Sequence, residues 1–312
     1  MATDRRFRFG VQLSFAGSPE EWAAKARRAE DLGYATLCVP DHFDDQLAPM
    51  PALVAAAVAT STLRVGTLVL DNDYRHPLLV AKEAATVDLL SGGRLELGMG
   101  AGWLRRDYEQ SGIPCDPPSV RIDRLEEGLA VVKGLLAGGK FSFRGRYYTI
   151  TDHPGTPLPV QRPGPPILVG GGARRILSLA GRVADVVSVN FDLRSGSIGP
   201  QVGITATADA TAEKVGWVRE AAGDRFDQVE LSYTAYLTLV TEDRDGVAAG
   251  LGSGFGLDRE QVLAMPNFLI GTVGQITDEL ARRRDDLGLS YVIVGGECQE
   301  AMAPVVARLA GT

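Results

Sequence analysis

The apolar positions of the chain form short strand-like runs, separated by longer segments with an apolar stripe at helical spacing. The first helical segment begins at Ser18-Pro19-Glu20-Glu21, a capped start, and stops at Gly33. Thr272 to Gln275 is a second capped start. This alternation is typical of parallel strands joined by helices. It predicts strands near residues 8–13, 35–39, 63–70, 94–98, 167–169, 186–189, 229–240 and 291–294, and helices near 52–60, 78–90, 120–136 and 210–222.

Three segments depart from this alternation. Residues 141–150, with Gly145 at their centre, have the pattern of a hairpin. Residues 192–207 and 246–256 lose hydrophobic periodicity and are rich in Gly, Ser and Thr, which predicts loops. The first of these loops follows a strand, so we interpret it as a lid rather than a plain surface connection.

The strand–helix cycles predict the fold class and the domain organisation. About eight cycles occur in 312 residues, and no Pro-, Gly- or Ser-rich linker separates two halves. The sequence therefore predicts a single α/β domain over residues 1–312, a (β/α)₈ TIM barrel with insertion loops at its C-terminal mouth. An open dinucleotide-binding sheet is disfavoured, because no GxGxxG motif follows the first strand.

Composition and charge exclude several classes of protein. The formal net charge is −7 with Lys and Arg scattered among acids, which argues against a nucleic-acid partner. No apolar run approaches the roughly 20 residues of a membrane span, and the Met1 to Arg8 segment is polar, so we expect a cytoplasmic protein. The three cysteines and three histidines are far apart, which predicts no metal site.

In a barrel of this kind the chemistry belongs to residues just beyond the strand ends. The second predicted strand ends in Pro40-Asp41-His42-Phe43, where His42 is a candidate proton donor or acceptor and Asp41 a candidate for fixing its tautomer. Such pairs also occur as plain loop caps. The fourth strand continues into Gly98-Met99-Gly100-Ala101-Gly102-Trp103, where Gly98 and Gly100 would point inward and leave space for a flat ring, or serve a tight turn.

A third candidate site follows the strand at residues 167–169. Gly170, Gly171 and Gly172 lie between this strand and a helix that opens with Ala173, Arg174 and Arg175. Backbone N–H groups at a helix N-terminus bind phosphate when no side chain obstructs them, and Arg174 or Arg175 would add positive charge. The alternative is a glycine turn with no ligand; we favour the phosphate site.

These motifs together resemble the luciferase-like superfamily, or LLM class, and in particular its members that depend on the deazaflavin coenzyme F420. The matching segments run in family order along most of the chain. They are Pro40-Asp41-His42-Phe43, Val65 to Leu70 followed by Arg75-His76-Pro77, Leu97 to Trp103, Phe143 to Tyr148, Pro166 to Gly172 with Ala184-Asp185, and Leu269 to Thr272.

The resemblance implies where a cofactor would bind and how the chain assembles. The ring would lie over the barrel mouth near His42, against Leu68 and Val69, with a non-proline cis peptide at that strand end. Gly100, Ala101 and Gly102 would lie beside the ring, and the phosphate would lie at Gly170 to Gly172 with Arg174. Relatives form homodimers, and the apolar helix near residues 52–60 would join that interface.

One residue departs from the family pattern. The sugar-phosphate dehydrogenases of this superfamily carry an acid where this chain has Trp103, so that substrate is not expected here. An indole at this position would line an apolar or aromatic substrate cavity, or belong to the core.

Three functions compete at this point. The first is hydride transfer between F420 and a small organic substrate, with His42 as proton donor. The second is an FMN-dependent monooxygenase that uses reduced flavin and O₂. The third is a barrel that binds a ligand without catalysis. The relative affinity for F420 and FMN separates the first two functions. Turnover separates both of them from the third.

Overall fold

A computed structural model of the chain describes residues 5–197 and 200–312. Part of the polar segment Met1 to Arg8 lies outside the described residues. The strands are β1 (Arg8–Gln12), β2 (Thr36–Val39), β3 (Arg64–Thr67), β4 (Leu70–Asp71), β5 (Leu95–Gly100), β6 (Phe141–Arg144), β7 (Thr149–His153), β8 (Ile167–Gly171), β9 (Val186–Val189), β10 (Glu230–Ala235), β11 (Leu237–Val240), β12 (Phe268–Gly271) and β13 (Leu289–Gly295).

The helices follow the strands in the predicted alternation. Within the described residues, none is long and apolar enough to cross a membrane. They are α1 (Pro19–Asp31), α2 (Pro49–Ala59), α3 (Pro77–Leu90), α4 (Arg105–Ser111), α5 (Pro118–Leu136), α6 (Arg174–Val183), α7 (Pro200–Ile204), α8 (Ala208–Ala222), α9 (Arg244–Phe255), α10 (Arg259–Ala264), α11 (Val273–Leu287) and α12 (Gln299–Leu309).

The chain divides into two compact units, each built from separated segments. The first unit comprises Met1–Leu13, Arg28–Thr36 and Val169–Thr312. Its strands β1, β13, β10 and β9 are neighbours in that order and run parallel. At the start of β1 and β10, Arg8 and Glu230 form an ion pair at 2.7 Å. A second parallel pair, β11 and β12, packs on a buried apolar cluster formed by Phe191, Val202, Ala206, Ala248, Val262, Met265, Phe268 and Ile270.

The second unit comprises Ser14–Arg27 and Leu37–Leu168. Here β3 and β4 each pair in parallel with β5, and all six residues of β5 are buried. Strands β6 and β7 form an antiparallel hairpin, so the hairpin predicted at residues 141–150 is confirmed. The Glu127 carboxylate on α5 accepts the backbone N–H groups of Arg146, Tyr147 and Tyr148 at 2.7, 2.8 and 3.2 Å, which fixes the hairpin turn.

Some predictions from the pattern are confirmed and others are wrong. The capping box at Thr272 and Gln275 starts α11 as predicted. The single strand predicted at residues 229–240 is instead two strands, because β11 leaves β10 and pairs with β12.

The loop predicted at residues 246–256 is wrong, since most of this segment lies in α9. Asp243 caps the helix by accepting the Gly246 N–H at 3.0 Å, and Gly256 ends it with a φ of +66°. A Cβ at Gly252 would lie 2.4 Å from the Leu257 carbonyl oxygen, so a glycine serves close packing here. Gly252 therefore weakened the helical pattern because close packing in the folded chain requires a glycine there.

The lid predicted at residues 192–207 is partly structured. Residues 200–204 form α7, and residues 198–199 lie outside the described residues. The buried ammonium of Lys214 donates to the carbonyl oxygens of Asn190 and Thr205 and so ties both ends of the segment to α8. The lid role stays a prediction.

Candidate active site

His42 lies directly after β2, and the imidazole is paired with a buried carboxylate. Its Nδ1 lies 2.7 Å from Oδ2 of Asp107, in the first turn of α4. The His42 side chain is 24% exposed, whereas the Asp107 side chain is fully buried. The pair thus combines an accessible ring with a carboxylate shielded from water, an arrangement that suits proton transfer.

The neighbouring Asp41 has a different partner. Its carboxylate accepts two hydrogen bonds from the Arg75 guanidinium, at 2.5 and 2.8 Å, and one from the Asp71 backbone N–H at 3.0 Å. The interpretation that Asp41 fixes the tautomer of His42 is therefore wrong, because both of its oxygens are occupied. Asp41 instead ties the end of β2 to β4 through the Asp71 N–H, and it holds Arg75 in a bidentate ion pair.

Asp71, at the end of β4, is a second buried acid. Its carboxylate accepts hydrogen bonds from the Tyr108 hydroxyl at 2.8 Å and from the Asp73 N–H at 2.9 Å. Burial raises the pKa of Asp71 to about 7, an effect larger than the opposing hydrogen bonds. The pKa of Tyr108 is also raised, mainly by burial. The Asp71 carboxyl group therefore exchanges its proton near neutral pH rather than near pH 4.

The glycines of β5 and the residues after it are required by close packing. A Cβ at Gly98 would lie 2.0 Å from the Thr67 carbonyl oxygen, and a Cβ at Gly100 would lie 2.7 Å from Val69 Cγ2. The space that faces these two glycines is therefore filled by Thr67, at the end of β3, and by Val69. It is not left open for a ring, as the sequence suggested. Gly102 has a φ of +69°. A Cβ there would lie 2.0 Å from the Tyr108 hydroxyl oxygen and 2.1 Å from Asp71 Oδ2.

Aromatic side chains lie beside His42, and two partly exposed apolar residues follow β3. The Leu68–Val69 peptide is cis, as the resemblance implied, and both residues are partly exposed. The Trp103 indole meets the His42 ring edge-on, with centroids 5.8 Å apart. Phe43 packs on the Tyr74 ring at 4.5 Å and remains 45% exposed. The aromatic residues form an apolar wall beside one imidazole, a ring that can donate or accept a proton.

The glycine turn belongs to the first unit and is built from backbone. Gly171 accepts a hydrogen bond from the Asn190 N–H at 2.8 Å, and a Cβ at Gly172 would lie 1.6 Å from the Phe191 carbonyl oxygen. Ala173 precedes α6 without a side-chain cap. The first-turn N–H groups of α6 therefore have no capping side chain, which suits an anion.

Arg174, the candidate phosphate ligand, pairs with Glu220 at 3.1 Å on the surface of α6 and α8. Its side chain is 65% exposed. The guanidinium is thus weakly held and already shares its charge with an acid.

The structure places further polar residues next to His42 and Asp41 that the motifs did not indicate. Asp107 is 65 positions from His42 in the chain, so no local spacing linked them. Asp71, Arg75 and Tyr108 were also missed. The available signal was the run Asp71-Asn72-Asp73 directly after a predicted strand, where polar residues favour a site. Among the described residues, no three His, Cys, Asp or Glu side chains group as a metal site.

The chain is similar to known proteins over most of its length. Residues 6–201 match the family model described as luciferase-like monooxygenase, more than half of the chain. The FMNH₂-dependent dimethylsulfone monooxygenase of Pseudomonas putida is 33% identical over 161 residues, 52% of this chain and 44% of that relative. The F420-dependent glucose-6-phosphate dehydrogenase of Amycolatopsis mediterranei is 28% identical over 92% of this chain and 84% of the relative. The chain spans about half the length of several curated relatives that it matches.

A solved structure shows the fold. The coenzyme F420-dependent tetrahydromethanopterin reductase of Methanopyrus kandleri superposes with a TM-score of 0.79 at 21% identity, covering 98% of this chain and 99% of that one. The fold is the (β/α)₈ barrel of luciferase-like proteins, which confirms the predicted fold class. The prediction of one domain over residues 1–312 stays a prediction.

Proposed function

The chain belongs to the luciferase-like monooxygenase family, and from that premise we propose that it is an oxidoreductase dependent on coenzyme F420. The reaction is transfer of a hydride between the deazaflavin and a small unsaturated organic substrate. The observation that carries the choice of cofactor is the extent of the alignment with an F420-dependent dehydrogenase, 92% of this chain. The alignment with the FMNH₂-dependent relative covers 52%.

The residues around His42 fit a flat heteroaromatic ring. Leu68, Val69 and Ala101 are partly exposed and offer an apolar surface, and Gly102 is partly exposed beside them. Gly100 contributes backbone only, since any side chain there would meet Val69. When bound, F420 supplies or accepts a hydride at C5 of its ring.

The uncapped turn at Gly170, Gly171 and Gly172 fits a phosphate. Small residues precede α6, its N-cap residue Ala173 makes no side-chain hydrogen bond, and the positive end of the helix favours an anion. We assign Arg174 a supporting electrostatic role, because its exposed guanidinium is shared with Glu220.

His42 moves the proton that accompanies the hydride. With Nδ1 engaged by Asp107, the accessible nitrogen is Nε2. When substrate is reduced, Nε2–H gives its proton to the atom next to the new C–H bond; in the reverse direction Nε2 takes that proton. Asp41 is structural in this scheme, since the carboxylate is occupied by Arg75.

The Trp103 indole favours an apolar substrate. It lies against the His42 ring, so a molecule that reaches Nε2 also contacts an aromatic edge. Arg75 is paired with the buried Asp41, which leaves its guanidinium committed to an acid and disfavours a substrate phosphate.

The second candidate is an FMN-dependent monooxygenase. The 33% identity to the Pseudomonas putida enzyme favours it, although over half of the chain. Both candidates need the same apolar wall, His42 and a phosphate site, so they differ in the cofactor that turns over.

We also propose a cytoplasmic homodimer without nucleic-acid or membrane partners. Four large apolar side chains are exposed on α2 and α3: Val58, Leu79, Leu89 and Leu90. Exposed large apolar side chains on neighbouring helices are typical of a protein interface. Cys115 and Cys298 form no disulfide bond, which suits a reducing compartment. Light scattering at micromolar concentration is expected to give a dimer mass for wild type and a monomer mass for Leu89→Glu; a monomeric wild type contradicts the interface.

Turnover tests the proposed reaction. The purified chain is incubated with reduced F420 and a panel of apolar enones, imines and ketones, and in parallel with FMNH₂ and O₂. Oxidation of F420 that depends on substrate is expected, and the His42→Gln variant is expected to lose about 10²–10⁴-fold in kcat because it lacks the proton donor. Turnover with FMNH₂ and O₂ but not with reduced F420 contradicts the proposal and favours the second candidate.

A further inference from the structure

Asp107 is a buried carboxylate whose environment is unusual within the second unit. Its side chain is fully buried, and its Oδ1 has no hydrogen-bond partner. Its Oδ2 faces the His42 Nδ1 at 2.7 Å and the Tyr74 hydroxyl at 3.4 Å, a long contact. Among the described residues, therefore, the strong partner of this carboxylate is the His42 ring. Burying a carboxylate with so few other hydrogen bonds costs free energy of folding unless the contact with the His42 ring is maintained.

We propose that Asp107 is a positioning residue that holds His42 in the Nδ1–H tautomer and directs Nε2 toward the reacting atoms, an inference that rests on the proposed function. An ionised carboxylate only accepts hydrogen bonds, so the Nδ1 at 2.7 Å must carry a proton. The other ring nitrogen is then the one that exchanges protons with substrate. The first turn of α4 also places Asp107 where backbone N–H groups favour negative charge.

Two neighbours complete the positioning of the ring. Trp103 meets the imidazole at an interplanar angle of 88°, which limits rotation on one side. Asp41, adjacent in sequence, is not available as an alternative acceptor, because Arg75 and the Asp71 N–H occupy its oxygens. Orientation of the ring therefore depends on a single carboxylate from a different element.

The proton balance of the step follows from this arrangement. In the reducing direction the imidazolium breaks its Nε2–H bond, and the proton forms a new bond at the substrate atom beside the carbon that receives the hydride. The ring is left neutral with its Nδ1–H still donated to Asp107. Asp107 takes up no proton in this step and accepts the Nδ1–H hydrogen bond throughout.

The tautomer of His42 tests the inference without any cofactor. The chain holds three histidines, so a ¹⁵N-imidazole NMR spectrum of the full protein is simple, and His42→Gln assigns the relevant signals. At a pH where the ring is neutral, wild type is expected to show the Nδ1–H form in the majority. Asp107→Ala and the isosteric Asp107→Asn are expected to shift the majority toward Nε2–H, the commoner form of free histidine.

A matched control separates this effect from general loss of a buried acid. Asp88 is also fully buried and accepts hydrogen bonds from the N–H and the amide of Gln161, so Asp88→Asn perturbs the same unit away from His42. It is expected to leave the His42 tautomer unchanged. A wild-type Nε2–H majority, or an Nδ1–H majority that persists in both Asp107 variants, overturns the inference.

Turnover provides a second readout with a distinct failure. With reduced F420, Asp107→Asn is expected to lower kcat about 10–100-fold with little change in KM, because the ring remains but is misoriented. An unchanged kcat overturns the positioning role. If wild type does not turn over F420 but the tautomer shifts as stated, the proposed function fails while the positioning of His42 by Asp107 stands.

Discussion

The cluster around His42 and the glycine turn of the first unit are held in place by different physics. In the cluster, buried side chains fix one another through ion pairs and short hydrogen bonds, as Asp41 does with Arg75 and Asp107 with His42. In the turn, backbone packs on backbone, and its charged neighbour Arg174 is exposed. The difference teaches that single side chains decide the chemistry of the cluster, whereas the turn depends on chain conformation.

The largest effect on stability is expected at Gly102, where a left-handed backbone conformation and crowding by side chains coincide. Gly102→Ala is expected to destabilise the protein by about 2–5 kcal/mol, since it adds a left-handed alanine and a clash with Tyr108 and Asp71. Urea unfolding measures this.

Gly112 is the matched control for that substitution. It has nearly the same φ, +73°, but a Cβ there meets nothing within 4 Å, so Gly112→Ala is expected to destabilise by only about 1–2 kcal/mol. Equal losses in the two variants would mean that the cluster does not constrain Gly102.

The next effect concerns the protonation of Asp71. Its pKa is about 7 in the folded chain, because of burial, against 3.8 for an ordinary aspartate. The unfolded chain therefore loses this proton first, and stability contributed by Asp71 falls as pH rises from about 4 to 7 and is constant above. Relative to Asp71→Asn, wild type is expected to lose up to about 1.4 kcal/mol of unfolding free energy per pH unit. Parallel curves for the two proteins between pH 5 and 7 would contradict this assignment.

The smallest effect is expected at Arg174 beside the turn. An exposed ion pair is worth about 0–1 kcal/mol, so Arg174→Ala is expected to leave stability nearly unchanged and to weaken F420 binding by less than about tenfold. Isothermal titration with F420 checks the affinity. Complete loss of binding in a folded variant would show that the side chain, not the backbone, holds the phosphate.

The sequence predicted the fold better than the site. Strands and helices depend on local periodicity and caps, such as Ser18-Pro19 and the Thr272 capping box, and these were visible. Tertiary packing overrode the local pattern at α9, where Gly252 serves a close contact with Leu257 rather than a loop.

The site combines residues that no local pattern connects. His42 was predicted from its place after a strand, but its partner Asp107 comes from a helix 65 positions later. The glycines of β5 were correctly singled out, yet the reason for them differed: they admit the end of β3 rather than a ring. Sequence spacing indicates which strand end carries chemistry, and only the three-dimensional packing pairs the groups.

The affinity of the purified full chain for F420 relative to FMN tests the central claim most directly. Titration of both oxidised cofactors in one buffer, monitored by tryptophan fluorescence, gives both dissociation constants. The Trp103→Phe variant is titrated in parallel as a reference for the contribution of the Trp103 indole to the fluorescence. The account predicts that F420 binds at least about tenfold more tightly than FMN, a difference of about 1.4 kcal/mol. Equal affinity, or tighter binding of FMN, would contradict it.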